Sequence, residues 1–355
     1  MKMLKYFSLL FFFIGCGTSD SEKKMIKYGK TVTKVIDSEE GVLIAPKDSF
    51  DFPESLEFPL SMTSLGDNLL FVDGRTDSLV HVYDPEYSEI VGQCLIRGDG
   101  PNEARGLWAV KPINKSTFSS IETRTRDIIS YSISAKQSDF CHFVERIENP
   151  FQGKPSQVIL NNQEIIASQT GYSSVISYDK RLRQFNEVCS ALIIDGFKGV
   201  DTSIIYNSFV QGGVLAQASE NKILFFRKYA PIIEVISLEK KSTENVILVD
   251  KPWEVKYSKS KNKIGLKARE TKSAFLDISF NDNHIFALYS GEIIIPRPGF
   301  SASGTYIYKI NRLTHDVEEI YRYDKGMTRI AVVDNLLYGY NTNVSESIYM
   351  FDLPI

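Results

Sequence analysis

The stretch Asn68-Leu69-Leu70-Phe71-Val72-Asp73-Gly74, followed after Arg75-Thr76-Asp77 by Ser78-Leu79-Val80-His81-Val82-Tyr83-Asp84, reads as two short strands joined by a turn. β-branched and aromatic residues fill each run, and Gly, Asp and Asn punctuate the ends, as strands and their turns require. Ile223-Leu224-Phe225-Phe226 and Thr305-Tyr306-Ile307-Tyr308-Lys309-Ile310 continue the pattern. From about residue 31 onward no stretch has the apolar period of an amphipathic helix.

Outward from this pair, one unit recurs. A strand ends in an aromatic or apolar residue followed by a polar one, then comes a turn and another strand. Instances are Val82-Tyr83-Asp84, Ser130-Tyr131-Ser132, Ser177-Tyr178-Asp179, Val235-Ile236-Ser237, Ile307-Tyr308-Lys309 and Tyr349-Met350-Phe351-Asp352. The first three lie about 47 residues apart, and the later spacings are irregular, as in blades with loop insertions. Most are preceded by a strand with a polar turn ahead of it: Gly66-Asp67-Asn68, Asn161-Asn162-Gln163, Glu220-Asn221-Lys222, Asn281-Asp282-Asn283 and Val333-Asp334-Asn335. That turn joins the innermost and second strands of a four-stranded blade, which puts Tyr83 and its equivalents on the third strand. The fold class is therefore all-β, a six-bladed β-propeller rather than a β-sandwich. The last unit is short, because only Met350 to Ile355 follow Tyr349. A propeller closes its ring, since an open sheet edge invites aggregation. Val32 to Ile36, and Gly41 to Ala45, are expected to supply the missing strand.

The N-terminus has a different character. Lys2 and Lys5 give a positive start, and Leu4 through Ile14 form an apolar run of about eleven residues, short of the roughly twenty that span a bilayer. A small residue then precedes Cys16, the pattern of a secretory signal. Phe13-Ile14-Gly15-Cys16 resembles a bacterial lipobox. The resemblance implies that Cys16 is acylated and becomes the new N-terminus. More than one acyl chain would hold the protein on a membrane without spanning it. The expected organisation is a signal peptide at 1–15, a lipidated Cys16 and flexible tether at 16–30, and the propeller at 31–355. Asp20 and Glu22 resemble the surface-export signal of some Bacteroidetes lipoproteins, although any solvated linker reads the same way.

Aromatic residues make up 12% of the chain, the net charge is −3 and the pI is about 5.9, so nothing global points to nucleic acid. Beyond Cys16 there remain Cys94, Cys141 and Cys189, odd in number and widely spaced. They form no C-x-x-C metal pair and imply no disulfide framework. Buried thiols are expected, with one disulfide left open for an oxidising compartment. The four histidines, His81, His142, His284 and His315, lack metal-ligand spacing, and His81 reads as a satisfied or surface histidine. No G-x-S-x-G elbow or P-loop is present, so no catalytic residue, metal or cofactor is assigned.

Between the first two units lies Ile96-Arg97-Gly98-Asp99-Gly100-Pro101-Asn102-Glu103-Ala104-Arg105-Gly106, ahead of the strand Leu107-Trp108-Ala109-Val110. Gly98 and Gly100 allow positive φ, Pro101 fixes the next turn, and Glu103 is placed to accept backbone N–H bonds. This segment resembles the G-x-G-P-x-E turn of TolB-like six-bladed propeller lipoproteins of Bacteroidetes, and more distantly NHL repeats. Asn102 and Ala104 stand where the usual form has Gly and Phe. The resemblance implies a lipid-anchored propeller and assigns no activity. The segment reads first as a corner between blades. Its sharper reading offers Arg97, Asp99 and Arg105 to a ligand through charge-assisted hydrogen bonds. Arg297 and Phe300, in the proline-bearing insertion from Gly291 to Gly304, are further candidate ligand contacts. The Lys-rich stretch 251–272, with Trp253 and Tyr257 interleaved, reads as a solvated insertion or an anion-binding patch.

The expected role is a lipid-anchored binding or scaffolding module of the cell envelope, at the outer membrane, taking a protein, peptide or glycan on one face. The alternative is a glycan-acting lyase or hydrolase at the central channel. Ionisable residues converging on the channel beside a ligand-sized cavity would favour the enzyme, and a flat face over an apolar channel the binding module.

Overall fold

A computed structural model describes residues 24–25, 31–36, 41–134, 140–151, 154–161, 163–170, 175–189, 212–253, 255–260, 263–295, 302–343 and 347–353. Cys16, Arg297 and Phe300 lie outside them, as do the signal segment and most of the tether.

Six antiparallel sheets follow one another along the chain. Blade 1 is Pro59–Leu65, Asn68–Asp73, Ser78–Asp84 and Glu89–Ile96. Blade 2 is Leu107–Pro112, Thr117–Glu122, Ile128–Ile133 and Cys141–Ile147. Blade 3 is Lys154–Leu160, Glu164–Thr170, Val175–Asp179 and Gln184–Cys189. Blade 4 is Gly213–Ser219, Lys222–Arg227, Ile232–Ser237 and Ser242–Leu248. Blade 5 is Phe275–Phe280, His284–Tyr289, Gly304–Asn311 and Val317–Met327. Blade 6 is Arg329–Val333, Leu336–Tyr340 and Ser347–Asp352, closed by Asp48–Asp51 from the N-terminal side. The inner strands of successive blades are neighbours, and that of blade 6 packs against that of blade 1. The six recurring motifs all fall on third strands. Among the described residues the helical content is one three-residue 3₁₀ turn, Ala268–Glu270.

Burial explains the sequence pattern. A blade is packed on both faces, so its middle strands carry near-continuous apolar runs rather than alternation. Leu69 to Asp73 and Ile232 to Ser237 are buried at every position. The outer strand Glu89–Ile96 is exposed or partly exposed except at Cys94 and Leu95, as an edge is. One apolar cluster fills each of the six blade–blade junctions, for example Leu70, Val80, Phe118 and Ile129 between blades 1 and 2.

The strand that closes the ring differs from the expectation. Lys34–Val35 adds in parallel to the outer strand of blade 4, and Val42–Leu43 adds in parallel to that of blade 5. Only Asp48–Asp51 completes blade 6. The described N-terminal residues thus run along the outside of three successive blades before entering blade 1. Phe50 and Phe52 explain where the closure falls. Phe50 stacks on Tyr83 with ring centroids 5.3 Å apart, and Phe52 meets Tyr340 edge-on at 5.2 Å, both at the junction of blades 6 and 1. Val35, Val42 and Leu43 are exposed and have no such junction to fill.

The cysteines also correct the expectation of buried thiols. Cys94 and Cys141 form a disulfide, with Cα atoms 5.5 Å apart, between the outer strands of blades 1 and 2. Residues 47 apart in sequence become neighbours because one blade repeat separates them. Cys189 is buried outside the disulfide, its sulfur 3.3 Å from the Arg227 guanidinium, which donates to it.

Candidate functional site

Each inner strand starts at one face of the ring and ends at the other. The turns from first to second strand and from third to fourth lie on one face, here the turn face. The turns from second to third strand, and the crossovers into the next blade, lie on the opposite, crossover face.

The Gly-rich segment is a crossover, so Arg97, Asp99 and Arg105 sit together on the crossover face. Asp99 accepts from Arg105 Nε at 2.8 Å and pairs with Arg124 Nη2 at 3.0 Å. The hydrogen bond from Arg105 holds the Asp99 carboxyl below the usual range. Arg97 turns inward, donating to the Thr76 carbonyl at 3.1 Å and the Arg105 carbonyl at 2.9 Å. Glu103 accepts from the Gly100 N–H at 2.8 Å, as expected. The glycines serve a different purpose from the expected one. Neither adopts positive φ. A Cβ on Gly98 would lie 1.9 Å from Glu103 Oε2, and one on Gly100 would lie 2.8 Å from its Cδ. The missing side chains make room for the Glu103 carboxylate. Tyr131 Oη donates to the Asn102 carbonyl at 2.6 Å, and Arg146 donates to that of Glu103 at 2.5 Å, pinning the segment to blade 2. This is the geometry of a corner, with Asp99, Arg105 and Arg124 as its exposed rim.

The Lys-rich stretch carries a hairpin, Tyr257–Ser260 with Lys263–Leu266, between blades 4 and 5. Trp253 packs against the junction of those blades, donates from its indole to the Tyr229 carbonyl at 3.1 Å, and lies under the Lys272 ammonium at 5.4 Å. His81 is buried and satisfied, with Nε2 3.0 Å from both Thr76 Oγ1 and the Ser78 carbonyl. Among the described residues no group of three or more His, Cys, Asp or Glu is placed to hold a metal ion.

A recess lies on the other side. At the turn face the central channel opens into a cavity of about 290 Å³ to which all six blades contribute. Its wall includes Asp67, Lys111, Ser119, Gln217, Arg312 and Asp334. Ile113, Leu160, Gln217 and Arg312 also line an adjoining groove of about 880 Å³ over blades 3 and 4, where Asn161, Gln163, Glu220 and Asn221 supply polar side chains. Turn chemistry builds this face. Asn114, Asn161 and Asn281 each accept two backbone N–H bonds within their own turns. Gly66, at φ +57°, lets the blade 1 turn approach the Lys115 carbonyl, which a Cβ would meet at 2.8 Å. Lys115 reaches Asp282 of the opposite blade, Nζ to Oδ2 3.9 Å, so the mouth is narrow.

Below the mouth, the inner strands carry Lys111, Asp277 and Arg329. Burial lowers the pKa of Lys111, with Arg329 adding to the effect and Asp277 opposing it. Burial raises that of Asp277, opposed by Arg329, Lys111 and the Ile330 N–H, which donates to Asp277 Oδ2 at 3.0 Å. Arg329 Nε donates to the Leu60 carbonyl of blade 1 at 3.0 Å. Arg312 bridges blades 5 and 4, donating to the Asn281 carbonyl at 2.8 Å and the Gln217 carbonyl at 3.0 Å, over the Phe280 ring. Sequence reasoning missed all four of these residues. The available signal was an ionisable residue within or at the end of an inner strand, as in Leu107-Trp108-Ala109-Val110-Lys111 and Phe275-Leu276-Asp277-Ile278.

No known protein family and no curated protein matches the chain. Solved structures do. A protein of Bacteroides fragilis NCTC 9343 described as exported superposes with a TM-score of 0.50 at 13% identity, over 90% of this chain and 99% of that one. The β-propeller domain of Cps50 (Swd1) from Myceliophteria thermophila gives 0.45 at 9% identity, over 86% and 100%. Sqt1 of Saccharomyces cerevisiae gives 0.45 at 11%, over 88% and 100%. Identities this low speak to the shape of a chain and not to its activity.

Proposed function

We propose that this protein is a lipid-anchored module of the cell envelope, similar to TolB-like propeller lipoproteins, that binds a protein, peptide or glycan on its turn face. The observation that carries the binding reading is the recess at the channel mouth and its continuation into the groove over blades 3 and 4. A concave surface with several polar side chains, supplied by loops on a rigid ring, is the usual form of a binding site. Support for the anchor comes from Phe13-Ile14-Gly15-Cys16, and the outer membrane is the proposed location. The contact site therefore moves from Arg97, Asp99 and Arg105 to the opposite face.

A second reading has its own observation. Lys111, Asp277 and Arg329 are ionisable residues converging on the channel beside a cavity, the arrangement named above as favouring a glycan lyase or hydrolase. The cavity, at about 290 Å³, lies at the small end of ligand sites and suits a head group or chain end better than a threaded chain. This supports binding over cleavage.

The test has two parts. Cys16→Ser should move the protein from the membrane to the soluble fraction, and retention in the membrane would contradict the lipid anchor. Incubation of envelope glycans with the protein should return them unchanged in length. Shortened or unsaturated products that disappear in Lys111→Met would replace binding by catalysis.

A further inference from the structure

Among the described residues, three hydrogen-bond donors that line the recess lack a partner. Lys111 has no hydrogen bond or ion pair among the described residues, and its ammonium feels Asp277 only as a neighbouring charge. Ser119 is 1% exposed, and its hydroxyl is buried with no hydrogen-bond partner. Arg312 spends its terminal nitrogens on backbone carbonyls and leaves Nε buried and unpaired. All three line the same cavity. Lys111 and Ser119 are directly paired residues on the first two strands of blade 2, so their side chains stand side by side on one face of the sheet. The Ser119 and Arg312 donors are buried and unmatched, which costs free energy, and with the half-buried Lys111 beside them they favour an acceptor in this space.

Charge narrows the acceptor. Lys111 and Arg312 are the cations that line the cavity wall inside the turns, while Asp277 and Arg329 lie deeper on the inner strands, outside that lining. The rim reverses the sign, with Asp67, Asp282 and Asp334 on the turns of blades 1, 5 and 6 against Lys115. An anionic group is favoured at the floor, and a cationic group at the opening.

We propose that the recess receives a small zwitterion of the amino-acid or short-peptide class, its carboxylate on Lys111 and Ser119 beside Arg312, its ammonium toward the aspartates of the rim. This rests on the reading of the turn face as the binding face and gives that face a ligand chemistry. A neutral sugar would leave the Lys111 charge uncompensated. A polyanion would set its second charge against the rim.

The experiment is a calorimetric titration of the full chain in detergent with three probes. Glycylglycine carries both charges, glycylglycinamide lacks the carboxylate, and N-acetylglycylglycine lacks the ammonium. Glycylglycine is expected to bind. The amide should be weaker by about tenfold or more, as loss of a charge-assisted hydrogen bond predicts, and the acetyl derivative by about threefold. Lys111→Met should weaken glycylglycine by about tenfold, and Ser119→Ala, a mild change that also tests whether the result depends on a folding defect, by about threefold. Equal binding of amide and acid, or unchanged affinity in a folded Lys111→Met, overturns the proposal. If no probe binds while envelope material is still captured through the turn face, the zwitterion proposal falls and the binding reading stands. Loss of both would overturn both.

Discussion

Asp73 shows how much one side chain can hold in this fold. It is fully buried and accepts four backbone N–H bonds, from Glu57 and Phe58 at 2.8 and 2.9 Å and from Arg75 and Thr76 at 2.7 and 3.1 Å. It thereby ties the entry into blade 1 to that blade's second turn. Burial works to raise its pKa, but the four donors outweigh burial and hold the carboxyl below its ordinary value of 3.8. A carboxyl depressed in the folded state stabilises above its unfolded pKa, and the contribution is lost as pH falls from there through the folded value. Asp73→Ala should therefore cost about 2–4 kcal/mol at neutral pH, by the scale of orphaned donors to a charged acceptor. The gap from wild type should shrink as pH drops below about 4. Urea denaturation at pH 7 and at pH 3 measures both, and a gap that widens in acid would contradict the assignment. Asp73 could be read from sequence only as a turn residue, and Lys111 only as a lysine ending a strand. What gives each its role is the set of groups converging from other blades, and no local spacing records that convergence. Glu103 was legible because its partners, Gly98 and Gly100, lie within five residues.

At the scale of elements, strands and turns were legible because each blade repeats the same local chemistry. Asx residues hold the first turn in blades 2, 3 and 5, and the recurring pairs at Tyr83, Tyr131, Tyr178 and Tyr308 mark third strands. The N-terminal strands were misplaced because two-residue parallel additions carry almost no pattern, and closure at Asp48–Asp51 depends on Phe50 and Phe52 reaching a junction built from both ends of the chain. The disulfide was hidden for a related reason, since only the ring brings Cys94 beside Cys141. Its closed loop, spanning a separation of 47 residues, constrains the unfolded chain by about 4 kcal/mol in the chain-entropy estimate. Replacing both cysteines by alanine should lower stability by about 2–4 kcal/mol, in the range of native disulfides. Chemical denaturation of the double variant against wild type checks this. A change under about 0.5 kcal/mol would mean that the apolar junction of blades 1 and 2 already imposes the same constraint.

For the whole molecule, the ring sets two faces apart and gives them different work. The crossover face is consolidated by side chains that bind its own loops, as Asp73, Glu122 and Glu103 do. Buried unpaired donors occur on both faces, at Arg97 and Arg146 in the corner and at Ser119 and Arg312 on the turn face, and the latter two line the recess. The turn face, and not the Gly-rich corner, is the proposed place where this propeller meets its ligand. The most direct test is capture from envelope extract by the full chain in detergent, with mass spectrometry of bound proteins, peptides and glycans, using three baits: wild type, a turn-face variant (Gln163→Ala with Asn221→Ala and Lys111→Met) and a corner variant (Asp99→Ala with Arg105→Ala). A ligand is expected to be recovered intact by wild type and by the corner variant, and lost from the turn-face variant. Loss from the corner variant alone, or a glycan recovered shortened or unsaturated, would contradict this expectation.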